Sequence, residues 1–289
     1  MAGSRTLPRL FAHGLNVKSE GLAFGKASQT GVIDKWHELT PRKRAEKLVE
    51  LVNVHLKKAE VPPVIPALDE KSNNAGSFSF SIWQMQIGLE ALEIAQPTVE
   101  QARDLVDTIY HEARHAEQFF RIAQLRAMQL RKQNPKATDE AIKALIVKET
   151  KIQPDAVAAA VRKPLPEGSM QALIAQGWYD SVFGKGDPHR RATLKELTAS
   201  AAALEKALKA VVVNETPATL AALVKADERH TKADAAYKNL PEENDAWATG
   251  PMTGPGVTSG APAPPPPADP ALSGIEKDVE KLVGVGPLP

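Results

Sequence analysis

From Pro97 to Asn239 the apolar residues of this chain fall three and four positions apart, which commits about half of it to amphipathic helices. Thr98 and Gln101 form a capping-box pair, and Ala102, Leu105, Val106, Ile109, Ala113, Ala116, Phe120 and Ala123 then keep one apolar stripe, so a long helix is predicted to Lys132. Shorter helices are predicted over 138–148, 154–161 and 167–182. Asp187-Pro188 and Thr216-Pro217 each place a capping residue before a first-turn proline and open helices to about Val213 and Asn239. Upstream, Thr40-Pro41 opens another helix, to about Lys58. Val61–Leu68 reads as extended, and Asp69–Gly76 as a loop. In Gly76–Gly88, Phe78, Phe80 and Ile82 alternate with serines; the apolar phase then flips to Trp83, Met85 and Ile87, as at a bulge. The expected fold is therefore α+β, mostly helical, with a small antiparallel sheet before the long helix. Residues 1–39 carry scattered glycines and read as irregular, 40–240 as the domain, and 241–289 as a disordered Pro/Gly-rich tail ending in a short amphipathic stretch, Leu272–Val283.

The composition removes several function classes. A net charge of +1 gives no bulk electrostatic case for nucleic acid or an anionic membrane. The cluster Arg42, Lys43, Arg44 and Lys47 reads as a solvated helix face. With no cysteine there are no disulfides, thiolate nucleophiles or cysteine-held metals, so any metal must be held by His, Asp or Glu. No apolar run has the length of a membrane span, and no signal-peptide core is visible near Met1. The expected location is the cytoplasm of the producing cell, or outside it after export without a classical signal.

The long helix contains His111-Glu112-Ala113-Arg114-His115. Two histidines four residues apart stack on one helix face, and both imidazoles can reach one ion. Zinc prefers tetrahedral coordination and in a catalytic site keeps one position for water. Glu112, beside the first histidine, is placed to take a proton from that water and later give it to a leaving amine. The pattern predicts Zn2+ held by His111 and His115 with Glu112 as general base and acid, acting on a protein or peptide substrate. A third protein ligand is needed, and Asp180, Glu167, His189 and Glu196 are the candidates. Asp107, one turn before His111, is a possible acceptor for its second ring N–H.

In its order of sheet and then His-Glu-x-x-His helix the chain resembles the zincin metallopeptidases. In these an edge strand over the metal binds substrate by strand addition; here that strand would lie within Phe78–Ile87. Gly177-Trp178-Tyr179-Asp180-Ser181-Val182-Phe183-Gly184 is similar to the Gly-Thr-x-Asp-x-x-Tyr-Gly motif of the aspzincin (deuterolysin-like) group. That resemblance implies Asp180 as third zinc ligand. Phe183 stands where the group has a tyrosine, so Tyr179 or His189 would have to supply the donor to the oxyanion. The spacing departs from the group as well, because 64 residues lie between His115 and Asp180.

Other readings compete. Glu112 and His115 satisfy one Glu-x-x-His element of a di-iron bundle, but the chain has no second. The helical content and proline-rich tail also suit a non-enzymatic interaction or structural module. Trp178 is either a shield for the metal or a packing residue. A metallopeptidase without a visible signal and with such a tail is also expected to suit a delivered effector, docked to a secretion machine through the tail.

Overall fold

The computed structural model describes residues 13–70 and 75–263. Its elements are α1 (Lys18–Ser28), α2 (Pro41–Lys58), β1 (Ile65–Asp69), β2 (Gly76–Ser79), β3 (Gln84–Gly88), α3 (Leu89–Glu93), α4 (Val99–Gln133), α5 (Asp139–Thr150), α6 (Pro154–Arg162), α7 (Met170–Val182), α8 (Asp187–Val213), α9 (Pro217–Lys238) and α10 (Pro241–Thr249). The fold is α+β and mostly helical, as the periodicity implied. Thr40 caps α2, and Thr98 and Gln101 close both halves of the capping box on α4.

With 35 residues, α4 is about 52 Å long and forms the axis of the molecule. Between Ile109 and Leu125 every residue except Glu112 is buried. A helix enclosed on all sides needs neighbours on every face, and α1, α2, α6, α7, α10 and β2 pack around it. Many of its buried polar groups are paired: Glu117 accepts from Arg114, Arg121 and the Leu15 N–H, while Gln124 bonds the Lys163 carbonyl and Arg121.

Four sequence expectations change. The sheet is mixed rather than antiparallel, in the order β1-β3-β2, with β1 parallel and β2 antiparallel to β3. The phase flip near Trp83 is a chain reversal through residues 80–83, not a bulge; Trp83 takes φ 58° and sends Met85 and Ile87 into the core. Of the segment 1–39 expected to be irregular, residues 18–28 form α1 and short turns follow to Glu38, while residues 1–12 lie outside the described residues. The glycines of α1 serve close packing: a Cβ on Gly25 would lie 2.2 Å from the Thr253 carbonyl oxygen. Order also continues past Pro241, where α10 and two short turns, Gly250–Met252 and Gly254–Gly256, carry the chain back over α1 and α4. Residues 264–289, with the amphipathic stretch 272–283, lie outside the described residues.

Of the basic cluster on α2, Arg44 is buried, donating to the carbonyls of Trp36 and Leu92, whereas Lys43 and Lys47 pair with Glu46 and Glu50 in solvent. α8 and α9 pair chiefly with each other and stand off the body; Thr193, Ser200 and Ala233 are their only buried residues. Among the described residues no helix is long and apolar enough to cross a membrane.

Candidate metal centre

The i, i+4 spacing on α4 brings the two imidazoles together, with Nε2 of His111 and Nε2 of His115 3.1 Å apart. His115 Nδ1 bonds Gln118 Oε1 at 2.8 Å. A donor N–H there leaves Nε2 with its lone pair in the neutral ring, the tautomer a metal needs. Gln118 is itself fixed, because its amide donates to the Glu242 carbonyl and to Asp245 Oδ2. Arg114 completes the tie with a forked contact to Asp245, at 2.7 and 3.2 Å.

These ties hold α10 against α4, and α10 presents Glu243 to the histidines. Glu243 Oε2 is 3.4 Å from His115 Nε2 and 3.8 Å from His111 Nε2. That Oε2 atom is buried and has no hydrogen-bond partner. Donors about 2.0–2.1 Å from a tetrahedral zinc stand about 3.3–3.4 Å from one another. The three edges of this triangle bracket that length. Tyr237, at the end of α9, donates its phenol to the Glu243 carboxylate. Glu112 Oε1 is 3.9 Å from His111 Nε2, beside the triangle rather than in it. The ligating atoms of His111, Glu112 and His115 all lie within 4.8 Å of one another.

The electrostatics reflect carboxylates and imidazoles packed away from water. Burial lowers His111 to about 4, and His115 adds to the effect. Burial also opposes protonation of His115, but Glu243, Glu112 and Gln118 outweigh it and hold the ring at about 9. Burial pushes Glu112 up to about 7; Glu243 adds to this, while His115 and the Phe78 N–H oppose it. Glu243 stays below the usual carboxylate range, because His115 and Tyr237 overcome the burial that would raise it. A carboxylate near 7 in a partly open position matches the proton affinity that a general base needs.

The edge of the sheet closes one side. Among the described residues β2 has β3 on one flank only. Its other flank runs past α4, where the Phe78 N–H reaches the Glu112 carboxylate and Gly76 approaches the Glu112 side chain.

Comparison of the chain with family models, with curated proteins and with solved structures returns no match.

The structure brings together His111, Glu112 and His115 but not the other residues singled out from the sequence. Asp180 turns its carboxylate to Gln176 and Lys185, and the glycines that follow it pack on its own backbone. Tyr179 bonds Glu149 and lies under Arg126, which is about 16 Å along α4 from His115. His189 is exposed in the first turn of α8. Glu167 and Glu196 are paired with Lys132 and Arg229. Asp107 accepts from Thr253 instead of from His111, and burial raises its pKa. Trp178 is a packing residue, 1% exposed and stacked on His13 and Arg114.

The residues that sequence reasoning missed are Glu243, Tyr237, Gln118 and Trp247. A signal for the first existed. Leu240-Pro241-Glu242-Glu243 has a first-turn proline and two first-turn acids, the marks of a helix start, but the Pro/Gly composition downstream masked it.

Proposed function

We propose that this protein is a zinc-dependent peptide hydrolase in which His111, His115 and Glu243 hold the metal and Glu112 is the general base and acid. The observation that carries the reading is the triangle of Nε2, Nε2 and Oε2 atoms with edges of 3.1, 3.4 and 3.8 Å, with the Glu112 carboxylate beside it. Glu243 replaces Asp180 in the ligand set that the sequence suggested, and its support is this geometry.

Zinc bound there supplies a Lewis acid that acidifies a water and polarises a substrate carbonyl. The chain's own residues do the rest. Glu112 takes the proton from the attacking water and returns it to the leaving amine, a role suited to a group held near neutral. Gln118 fixes the tautomer and the angle of His115. Tyr237 orients Glu243 so that Oε2 points at the histidines. The flank of β2 that faces α4 lines the approach to Glu112, where the Phe78 N–H already meets its carboxylate, and an extended substrate would reach Glu112 along that side. A bare helical interaction module would have no use for a carboxylate held beside a ligand triangle.

The test is zinc per chain by elemental analysis, for the wild type and for Glu112→Ala, His115→Ala, Glu243→Ala and Asp180→Ala. One zinc is expected in the wild type, Glu112→Ala and Asp180→Ala, with loss in the other two. A Glu243→Ala protein that keeps its zinc overturns the ligand set. A zinc-loaded wild type that cleaves neither casein nor a peptide library overturns the reaction.

A further inference from the structure

Trp247 lies one turn beyond Glu243 on α10, on the same face of that helix. Its ring centroid is 4.8 Å from that of His111, at 62°, yet the residue is 45% exposed. Of the large apolar side chains left exposed among the described residues, the others lie on α2, α5, α7, the β2–β3 reversal, β1 and the α8–α9 hairpin. An indole held against a ligand-bearing imidazole with nearly half its surface open is an apolar platform at the rim of the site. Its neighbour Lys238 does not turn that rim into an anion site. The ammonium is 4.7 Å from the indole centroid and 2.8 Å from Asp234, so its charge is already met by a π-face and a carboxylate.

We propose that Trp247 is the specificity-determining wall of the cleft and that it selects peptides with a bulky apolar or aromatic side chain next to the bond over Glu112. This rests on the peptide-hydrolase reading for the identity of the reacting bond. An extended peptide presents alternate side chains to opposite sides, and one directed to α10 beside His111 would meet the indole. Offset or edge-to-face contact with an aromatic side chain, together with the area covered, favours it over glycine by about tenfold.

The experiment uses the full chain carrying Glu112→Gln and loaded with zinc, so that binding is read without turnover. Short Ala/Ser peptides with Phe, Leu, Gly, Asp or Lys at each position in turn are titrated by calorimetry. Phe and Leu are expected to bind about tenfold tighter than Gly at one position. Adding Trp247→Ala should bring that ratio within about twofold, and Trp247→Phe should restore most of it. A preference that persists in Trp247→Ala, a preference for Asp, or no peptide binding overturns the proposal. The two readings fail separately. A Trp247-dependent preference in a wild type that cleaves nothing leaves the cleft and removes the hydrolase; cleavage with no such preference does the reverse.

Discussion

His115 is buried and yet keeps its proton to about pH 9, because Glu243 and Glu112 surround it. A metal ion needs the lone pair that this proton occupies, so zinc uptake below that pH must expel it. The sign follows: the metal-free form is favoured by acid, and zinc affinity rises with pH until the ring is already neutral. Affinity measured by competition with a fluorescent chelator should rise about tenfold per pH unit between about 7 and 8.5, then level off above about 9. A flat profile would show that the histidine is neutral in the metal-free protein. Glu112 has the complementary part, near neutral and outside the ligand triangle. Glu112→Gln preserves its shape and removes its basicity, so the variant should keep its zinc while peptide turnover falls about 10²–10⁴-fold. Loss of zinc in that variant would make Glu112 a ligand rather than a base.

At the scale of elements, the centre is a joint between α4 and α10, and most of the joint is electrostatic. Arg114 is fully buried between Asp245 and Glu117. Asp245→Ala leaves that guanidinium half-paired and frees one amide contact of Gln118. The expected cost is about 3 kcal/mol in urea unfolding, with zinc affinity lower by about 10–100-fold. The exposed Arg131–Asp139 pair is the control, and Asp139→Ala should cost less than about 1 kcal/mol. Equal effects in the two variants would mean that the joint does not depend on the buried pair. The same distinction explains what the sequence disclosed. Helix starts such as Thr40-Pro41 and Thr98…Gln101 are local signals, and the two histidines announce their shared face by spacing alone. The parallel pairing of β1 with β3 has no local signature. α10 has nine residues and is anchored by partners such as Arg114, 131 positions away. A ligand delivered by such a helix is legible only once the fold has closed.

Over the whole molecule, the proposed third ligand belongs to the last described stretch of the chain, and that stretch is fastened far from His111 and His115. After α10 the backbone crosses α1, where Met252 sits over Gly21 and Thr253 over Gly25. It then runs to Val257, whose carbonyl accepts from Arg103, and to Ser259, which bonds Gln29. The absence of a Cβ at Gly21 and Gly25 is thus what lets this stretch lie against α1, although α1 contributes nothing to the triangle of His111, His115 and Glu243. Gly25→Ala places a Cβ 2.2 Å from the Thr253 carbonyl oxygen, a clash with backbone that no rotamer relieves. It should destabilise the protein by about 1–3 kcal/mol. If the strap positions α10, it should weaken zinc binding as well. Gly31→Ala is the matched control, since its Cβ would meet only the Leu51 side chain at 3.3 Å; stability and zinc affinity should both stay near the wild type. Melting temperature and chelator competition on the two variants separate the outcomes. A Gly25→Ala protein that is less stable but binds zinc as tightly as the wild type would show that the α4–α10 ties alone hold Glu243 in place. Weakening of both would show that the centre is built by the whole path of the chain from α1 to Ser259.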